Sequence, residues 1–594
     1  MFLHRIQATP DRQAFTYPDG ATWKALTWKQ TGELTLAAAG ALRSLGLTDE
    51  QRVSILCSTR YEWIIADLAI SCAGLATTTI YPSSKEDECA YIITDSNTVL
   101  VIAENDGQVK KLQSKRAEMP AVKKVVVIDG KGTEDGWVMS WSQFLDDGRA
   151  WSKANPGKLE EIAKAVRPDQ LCTLIYTSGT TGKPKGVELT HDCWVYEAEG
   201  MEALDLLHID DVEYLWLPLA HSFGKVLEAG QLRVGWSAAV DGRVDKIVEN
   251  LGVVKPTFVP AVPRIFEKVY NKVIQQTQEA GGLKWSIFQW AFGVGHEVSR
   301  LKQEKREPGA LLALQNSIAH KLVFSKLHAR FGGNLKLFVS GSAPLSKQIA
   351  EWFHAAGIPI YEGYGLTETS AFSFVNRPDS VKFGTVGLPV KGLEVKIAED
   401  GEILMRGRGI MRGYHNLPTE TAETLDKDGW LHTGDIGELD EMGRLKITDR
   451  KKDLIKTSGG KYVAPGALES RFKSLCPYAS QLVVHGDNRN FVSALIAFDE
   501  ESLRKWAGTN GVSGTYAEMS KNPKVIALFQ GFVDTLNKEL PSYSTVKKFA
   551  LLEKDLNEAD GDLTPSQKLK RKAVEKKYKA LLDTFYVGAV AGAD

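Results

Sequence analysis

Residues 171 to 191 read LCTLIYTSGTTGKPKGVELTH, and this stretch decides the fold class because an apolar run passes directly into a loop of glycines, hydroxyls and lysines. A short apolar run bounded by such a loop is typical of a buried strand. Similar runs alternate with longer helical patterns across the first 450 residues: RVSILCS (52–58), TVLVIAE (98–104), KKVVVID (123–129), EYLWLPL (213–219), PTFVPAV (256–262) and KLFVSGS (336–342). The alternation predicts an α/β fold with largely buried sheets.

The loop in this stretch departs from the Walker phosphate loop. The Walker pattern places four residues between its glycines and a Ser or Thr after its lysine. Here only two residues separate Gly179 from Gly182, and Pro184 follows Lys183. Hydroxyls, backbone N–H groups and lysine charge still suit a polyphosphate. We therefore interpret the loop as a phosphate-binding segment of another kind, with a plain surface loop as the alternative.

Length, charge and cysteine usage narrow the class of protein. At 594 residues the chain exceeds the roughly 250 to 300 residues that one core organises, so several domains are expected. Lys plus Arg number 73 against 74 Asp plus Glu, which makes a large nucleic-acid surface unexpected. The six cysteines lie far apart, and the first residues, MFLHRIQATPDRQ, contain no apolar signal-peptide core. We expect a cytoplasmic protein, with peripheral membrane contact left open and the oligomeric state undetermined.

Two apolar stretches call for a structural assignment. WIIADLAISCAGLATTTI (63–80) contains Asp67 and is marginal for a membrane span of about 20 residues, so we predict a buried helix leading into a strand. WSIFQWAF (285–292) lies in a region, 264–330, that we expect to be mostly helical. Core packing between helices is favoured there, and an exposed membrane-facing or acyl-tunnel patch stays open as the alternative.

After about residue 401 the sequence pattern changes to short predicted strands separated by glycine turns. Charged residues crowd 449–453 (DRKKD), which suits an exposed connection between two rigid bodies. We predict a boundary there, giving an N-terminal domain of residues 1–449 and a C-terminal domain of residues 450–594.

A set of motifs follows the opening loop in a fixed order: GSAP (341–344), YEGYGLTET (361–369), HTGD (432–435), TDRKKDLIKTSGG (448–460) and LTPSQKLKR (563–571). Taken in this order, the set resembles the adenylate-forming, AMP-binding superfamily. LPLAHSFGK, VPAVPRIFEKVY and GWLHTGDIGELDEMGRLKITDRKKDLIKTSGGKYVAP look most like long-chain fatty acid-CoA ligases. The resemblance runs over nearly the whole chain.

The resemblance implies a fold and an activity. The fold would be a large N-terminal domain, with two β-sheets flanked by helices and a small distorted β-barrel, followed by a smaller mobile α+β domain. The activity would be ATP-dependent activation of a medium- to long-chain fatty acid through an acyl adenylate, then transfer to coenzyme A. ATP, Mg²⁺ and coenzyme A would be the cofactors. A fatty acyl-AMP ligase, a loader of a carrier protein acting in trans, and a nucleotide-binding protein without turnover are the alternatives.

The same resemblance assigns roles to individual residues. Lys568 would bridge the substrate carboxylate and the α-phosphate, Thr367 would touch the α-phosphate, and Asp435 would accept the ribose hydroxyls with Arg450 nearby. Glu368 would hold Mg²⁺ with help from Thr177, and His221 could gate the carboxylate entrance, although a satisfied core histidine is the alternative. The remaining residues would contact nucleotide or pantetheine: Ser178, Gly179, Thr180, Thr181, Gly182, Lys183 and Lys185 (phosphates); Gly341, Ser342, Ala343, Pro344, Glu362, Gly363, Tyr364 and Gly365 (adenine); Ser458, Gly459 and Gly460 (pantetheine).

One departure from the family pattern concerns the fatty-acid entrance. Some bacterial long-chain enzymes place a tryptophan gate shortly after the motif that contains His221, whereas here Gly224, Lys225 and Val226 follow. A gate of that kind is not expected in this chain.

Overall fold

The computed structural model describes residues 1–177, 183–564 and 567–587. Within these ranges the predicted α/β architecture is confirmed, because two large, mainly parallel sheets are covered by helices. All seven apolar runs predicted as strands contain one.

The first large sheet has eight strands and carries the opening stretch of sequence. In spatial order its strands are β19 (Gly413–Tyr414), β9 (Lys185–Thr190), β8 (Leu171–Thr177), β4 (Ala76–Ile80), β3 (Arg52–Leu56), β5 (Thr98–Asn105), β6 (Lys124–Asp129) and β7 (Val138–Ser140). Strands β8, β4, β3, β5, β6 and β7 run parallel, and β9 turns back antiparallel to β8. Helices cover parallel sheets on both faces, which is why β4 is buried along its whole length.

The second large sheet has nine strands. In spatial order they are β16 (Leu388–Pro389), β15 (Phe374–Val375), β14 (Ile360–Tyr364), β13 (Leu337–Ser340), β12 (Phe258–Ala261), β10 (Val212–Leu215), β11 (Ser237–Val240), β1 (Gln13–Asp19) and β2 (Thr22–Thr27). The central strands from β14 to β1 are parallel. The carboxyl ends of β13 and β14, which carry GSAP and YEGYG, therefore lie side by side at one edge of the sheet.

A four-stranded antiparallel sheet stands where we expected the small distorted barrel. Its strands are β17 (Glu394–Ile397), β18 (Glu402–Arg406), β20 (Leu431–Leu439) and β21 (Leu445–Arg450). Strand β20 contains HTGD and β21 ends in the charged connection, so this sheet brings two of the predicted motifs next to each other.

Helices α1 to α16 belong to the same part of the chain as these three sheets. They are α1 (Phe2–Ala8), α2 (Trp28–Ser44), α3 (Tyr61–Cys72), α4 (Glu86–Asp95), α5 (Asp106–Ser114), α6 (Trp141–Ala154), α7 (Lys158–Ala165), α8 (His191–Ala203), α9 (Ser222–Val234), α10 (Ile247–Val254), α11 (Pro263–Ala280), α12 (Gly282–Gln303), α13 (Ala310–Ala319), α14 (Ser325–Arg330), α15 (Lys347–Ala355) and α16 (Pro418–Thr424).

The chain after the charged connection has an apolar core of its own. Strands β24 (Ala479–His485), β25 (Val492–Phe498) and β26 (Val546–Leu551) form one sheet, and β22 (Ile455–Lys456) and β23 (Tyr462–Val463) form a hairpin. Their helices are α17 (Pro465–Leu475), α18 (Glu500–Thr509), α19 (Tyr516–Lys521), α20 (Pro523–Asn537), α21 (Arg571–Lys577) and α22 (Lys579–Thr584). Phe472, Phe498 and Phe529 centre a buried cluster separate from that of the large sheets. We call residues 1–449 the large unit and residues from 450 onward the C-terminal unit.

The two apolar stretches have the assignments that their sequences favoured. Residues 63–80 form most of α3 and then β4, both buried, as predicted. In α12, Phe288 and Phe292 are buried, and Phe292 stacks on Trp352 with ring centroids 4.7 Å apart, so core packing is confirmed. Trp290 on the outer face of α12 is 38% exposed. Over the described ranges, no helix combines the length and apolar character needed to cross a bilayer.

Candidate active site

A cavity of about 2050 Å³ lies between the two units. The ends of β8, β13, β14 and β20 and the start of α9 line it from the large unit, and the segment around Lys568 lines it from the C-terminal unit. Most of the motifs predicted to bind nucleotide therefore meet in one place, although they lie up to about 390 residues apart in sequence (Thr177 to Lys568).

GSAP and YEGYG form adjoining parts of the cavity wall, at the ends of β13 and β14. Ser342 has φ 69°, a left-handed conformation that turns the chain sharply after the strand. Glu362 is buried, and its Oε1 accepts a hydrogen bond from the backbone N of Leu345 at 3.3 Å. Burial raises the pKa of Glu362 to about 8, since an ionised carboxylate is poorly solvated there. Glu362 thus ties the two loops together rather than facing the cavity as a free anion.

Tyr364, Asp435 and Arg450 form a connected group on β14, β20 and β21. The Tyr364 hydroxyl donates to Asp435 Oδ2 at 2.5 Å, and Arg450 Nε lies 3.4 Å from Asp435 Oδ1. Asp435 and Arg450 are direct cross-strand partners, which fixes their spacing. Burial raises the pKa of Asp435, and the neighbouring Arg450 charge and Tyr364 hydroxyl oppose that rise. One of the two oxygens predicted to accept ribose hydroxyls is therefore already bonded to the predicted adenine-stacking ring.

Thr367 and Glu368 follow β14 in a single helical turn. Thr367 is buried, and its Oγ1 lies 3.4 Å from the hydroxyl of Ser222 at the start of α9. Glu368 Oε1 accepts a hydrogen bond from the Tyr414 hydroxyl at 2.8 Å. Tyr414 lies on β19 and was not predicted from the sequence, because only the pairing of β19 with β9 brings it to this site.

The phosphate loop is described only at its two ends. Ser178, Gly179, Thr180, Thr181 and Gly182 lie outside the described residues. Thr177 and Lys185 line the cavity, and the Thr177 hydroxyl lies 3.4 Å from the Lys185 carbonyl oxygen. The ammonium of Lys185 lies 5.0 Å from the ring centroid of Tyr414, and that of Lys183 lies 4.8 Å from the ring centroid of Tyr91. Both lysines therefore sit against aromatic faces, which hold a cation without neutralising it.

Lys568 enters the cavity from the C-terminal unit. Its backbone is fixed by Thr564, whose N donates to the Lys568 carbonyl at 2.8 Å and whose Oγ1 accepts from the Lys568 N at 3.0 Å. Burial and the Arg450 charge together lower the pKa of Lys568 to about 8, against the opposing effect of Asp435 and Glu368. The three side chains predicted for ribose, metal and α-phosphate therefore lie within electrostatic reach of one another.

His221 caps a helix and also lines the cavity. Its Nδ1 accepts a hydrogen bond from the Phe223 N at 3.1 Å and so caps α9, and the same residue lines the cavity. Removal from water and the nearby Lys568 charge lower the pKa of His221 to about 3, so the ring is neutral near pH 7. A gating movement of this ring stays a prediction.

An apolar arm of the cavity was missed by sequence reasoning. It runs between the end of α8, the start of α9 and the face of the second sheet, and no local motif marks it. Its lining residues are Met201, Leu204, Leu206, Leu207, Phe223, Val226, Leu227, Leu337, Val339, Phe372 and Val375. These residues are spread over 175 positions of sequence (201 to 375), so only tertiary packing reveals them as one surface.

Ser458, Gly459 and Gly460 lie apart from the groups described above. They form the exposed turn between β22 and β23, where Gly460 has φ 75°. They do not line the cavity, and their predicted contact with pantetheine stays a prediction.

Comparison with known protein families shows to which family this chain belongs. Residues 2–415 match the family described as AMP-binding enzyme, and residues 452–589 match the AMP-binding enzyme C-terminal domain. The chain belongs to the AMP-binding enzyme family. A long-chain-fatty-acid–CoA ligase of Mycobacterium bovis, FadD15, is 36% identical over 590 residues, covering 99% of this chain and 96% of the relative. A long-chain-fatty-acid–CoA ligase of Xenopus laevis, ACSBG2, is 31% identical, covering 99% of this chain and 83% of the relative.

Solved structures share the fold at lower sequence identity. The anthranilate CoA ligase AuaEII in complex with anthranoyl-AMP has a TM-score of 0.74 at 21% identity, covering 98% of this chain and 97% of that one. O-succinylbenzoate coenzyme A synthetase from Bacillus subtilis in complex with AMP has a TM-score of 0.67 at 21% identity, covering 97% of both chains. At this identity the likeness supports the two-unit adenylate-forming fold alone.

Proposed function

We propose that this protein activates a medium- to long-chain fatty acid with ATP and transfers it to coenzyme A, releasing AMP and pyrophosphate. The observation that carries the proposal is the position of Lys568 in one cavity with Asp435, Glu368 and a long apolar arm. The full-length relatives named as long-chain-fatty-acid–CoA ligases support the same acid class and the same acceptor.

The first half-reaction joins two anions, and the residues at the site suit that task. A fatty carboxylate is already ionised at pH 7, so no general base is required. The carboxylate oxygen attacks the α-phosphorus, and pyrophosphate leaves with the electron pair of the broken P–O bond. Lys568 would bridge the two anions as a point charge, and Thr367 would donate to the α-phosphate. Thr177, Lys183 and Lys185, with Ser178, Gly179, Thr180, Thr181 and Gly182, would hold the leaving phosphates.

The nucleoside would lie against the group on β14 and β20. The Tyr364 ring and the backbone of Gly341 to Pro344 offer two faces for adenine, and Asp435 offers the ribose an acceptor already oriented by Tyr364 and Arg450. A preoriented acceptor needs no reorganisation when ATP binds.

The oxygen groups of this cavity suit Mg²⁺. Thr177 and Glu368 line the same cavity, and Tyr414 orients the Glu368 carboxylate. Mg²⁺ is commonly held by one or two protein oxygens together with substrate phosphates, so a larger cluster of carboxylates is not required. When bound, Mg²⁺ would neutralise charge on the phosphate oxygens; Glu368 and Thr177 would hold it.

The apolar arm would hold the acyl chain. Its leucine, valine and phenylalanine lining suits an aliphatic acyl chain better than a substituted or charged acid. Burying methylene groups there would contribute roughly 0.8 kcal/mol each, which favours longer chains until the arm is filled. His221 lies at the junction between this arm and the polar part of the cavity, since it is near both Phe223 and Lys568.

The second half-reaction needs a different arrangement of the units. Lys568 occupies the polar part of the cavity, so a thiol must reach the adenylate after this lysine has moved. We infer that residues 450–594 act as a domain that rotates on the connection after Asp449, bringing Ser458, Gly459 and Gly460 to a pantetheine channel. Residues 1–449 would form the domain that keeps the adenylate bound.

An assay of coenzyme A-dependent AMP release tests the proposal. Fatty acids of increasing length should show rising kcat/KM up to the capacity of the apolar arm, with acetate and benzoate as poor substrates. Pyrophosphate exchange without any stimulation by coenzyme A would instead indicate a fatty acyl-AMP ligase or a carrier-protein loader. ATP binding without exchange for any acid would indicate a protein without turnover.

A further inference from the structure

The outer face of α13 carries an exposed apolar stripe that the active site does not use. We define the apolar stripe as Leu311, Leu314, Ile318 and Leu322, which are 71%, 59%, 43% and 46% exposed. Their spacing of three or four residues places them on one face of the helix that runs from α13 into the turn at 320–324. Four large aliphatic side chains that lie in a row and are exposed to solvent are typical of an interaction surface.

The stripe is not needed to hold this helix on the protein. The inner face of the same helical segment buries Ala319, Phe324 and Leu327, and Phe324 packs edge-on against Phe292 of α12 with centroids 5.2 Å apart. Because the inner face already fixes the helix, the outer face is free to contact something else.

The charge around the stripe is strongly positive. Residues 302–330 contain six lysines and arginines but only two carboxylates, Glu304 and Glu307, in a chain whose overall net charge is −1. Glu304 already pairs with Arg300 and Arg306. Within the described parts of the chain, Lys302, Lys305, Lys321 and Lys326 have no carboxylate in ion-pairing range. In sequence, Lys302 and Lys305 precede the stripe, and Lys321 and Lys326 lie at its C-terminal end; the four are called the flanking lysines below.

This combination selects one kind of partner. An apolar helix face bordered by lysines is the pattern of helices that lie in the plane of a bilayer, where the apolar side chains enter the acyl boundary and the ammonium groups meet anionic headgroups. A second copy of this chain would bring like charges together, which opposes pairing through the same face.

We propose that the apolar stripe and the flanking lysines dock this protein on the surface of an anionic phospholipid bilayer. The inference stands independently of the proposed function, since the stripe contributes no lining residue to the catalytic cavity. Each flanking lysine adds an electrostatic attraction to anionic headgroups, which salt weakens. The aliphatic side chains add an apolar contribution to binding, which salt does not weaken.

Cosedimentation with vesicles tests the proposal on the full chain. Vesicles of phosphatidylcholine alone are compared with vesicles in which about one third of the lipid is phosphatidylglycerol. Wild-type protein is expected to bind the anionic vesicles and to release from them at high salt. The double variant Leu314→Glu/Ile318→Glu should lose at least about tenfold in partition coefficient, and Lys321→Glu/Lys326→Glu should lose about fivefold with a weaker salt dependence.

The matched control is Ile526→Glu, an exposed aliphatic residue (40%) on α20 of the C-terminal unit, which should bind as the wild type does. All variants should retain the wild-type melting temperature and the wild-type turnover of a water-soluble acid. Failure of the wild type to bind anionic vesicles would overturn the proposal, as would binding that the stripe variants leave unchanged. A dimer in analytical ultracentrifugation that Leu314→Glu/Ile318→Glu dissociates, without an effect on vesicle binding, would assign the stripe to a second copy instead.

Discussion

The two sides of the active-site cavity are built in different ways. On the large unit, Tyr364 and Asp435 extend from neighbouring strands and are joined by a 2.5 Å hydrogen bond, so their positions are fixed by the sheets themselves. On the C-terminal unit, Lys568 lies on a short loop, and its position depends on how that unit docks against the large one.

Three polar contacts join the two units near α17. Lys473 Nζ lies 3.1 Å from Glu267, Arg471 donates to Gln348 at 2.6 Å, and Arg264 donates to the Ser480 carbonyl at 2.7 Å. We call these three contacts the polar seam. Also on α17, Glu469 pairs with Arg571 at 2.6 Å, three residues beyond Lys568. The seam therefore connects α11 to Lys568 through α17.

This difference suggests a division of labour. Polar contacts between units are exchangeable with water and can break and form again, whereas buried hydrogen bonds inside a sheet persist. The large unit is thus suited to keep the nucleotide through both half-reactions, and the C-terminal unit is suited to bring Lys568 for only one of them. Each prediction below separates the two sides by measuring the half-reactions individually.

Replacement of Lys568 should have the largest effect and should be confined to one half-reaction. Lys568→Ala removes the charge that would bridge carboxylate and α-phosphate, and we expect adenylate formation to fall on the order of a thousandfold. Pyrophosphate exchange measures this step. Thioester formation from supplied acyl-AMP should stay within about twofold of wild type, because the proposed second step would not use Lys568. Equal loss of both steps would contradict the division of labour.

Replacement of Asp435 should impair both half-reactions. Asp435→Ala removes the ribose acceptor and leaves the Tyr364 hydroxyl without its partner, which we expect to weaken ATP and acyl-AMP by about a hundredfold. Initial rates at varied ATP and varied acyl-AMP measure the two KM values. A change in only one of the two KM values would show that Asp435 also acts in a single half-reaction.

Weakening the polar seam should reproduce a mild form of the Lys568 defect. Lys473→Met leaves the buried Glu267 carboxylate without its ion-pair partner, and we expect adenylate formation to fall about tenfold while thioester formation is unchanged or faster. Lys505→Met, which removes an exposed i,i+4 pair on α18, is the control and should alter neither step. If Lys473→Met lowered the melting temperature and both rates together, the contact would be structural only.

The pH dependence should have the smallest effect and tests the charge on Lys568. The cationic form of this lysine exists below its lowered pKa of about 8, so kcat/KM for adenylate formation should fall about fourfold between about pH 7 and about pH 8.5. The kcat/KM profile reports the free enzyme, in which ATP has not yet raised this pKa. Lys568→Arg keeps its charge, so that variant should be slower but flat over the same range. A wild-type profile that is flat to pH 10 would mean that Lys568 titrates at its ordinary value.

The site illustrates how far sequence reasoning extends. Motif order identified Lys568, Asp435, Glu368 and Tyr364, and the structure brings all four to one cavity. Motif order could not identify Tyr414, because Tyr414 reaches Glu368 only through the pairing of β19 with β9. Nor could it show that Tyr364 and Asp435 are bonded to each other, since 71 residues separate them.

By itself, the sequence determined the α/β class, the buried strands and the ordered motifs, because strand burial and loop chemistry are written in local patterns of apolar, glycine and charged residues. Only the tertiary structure decided the apolar arm, the polar seam and the exposed stripe on α13. Each of these depends on which side chains of separate elements face one another or face solvent, and that choice is made by packing, which no local pattern encodes.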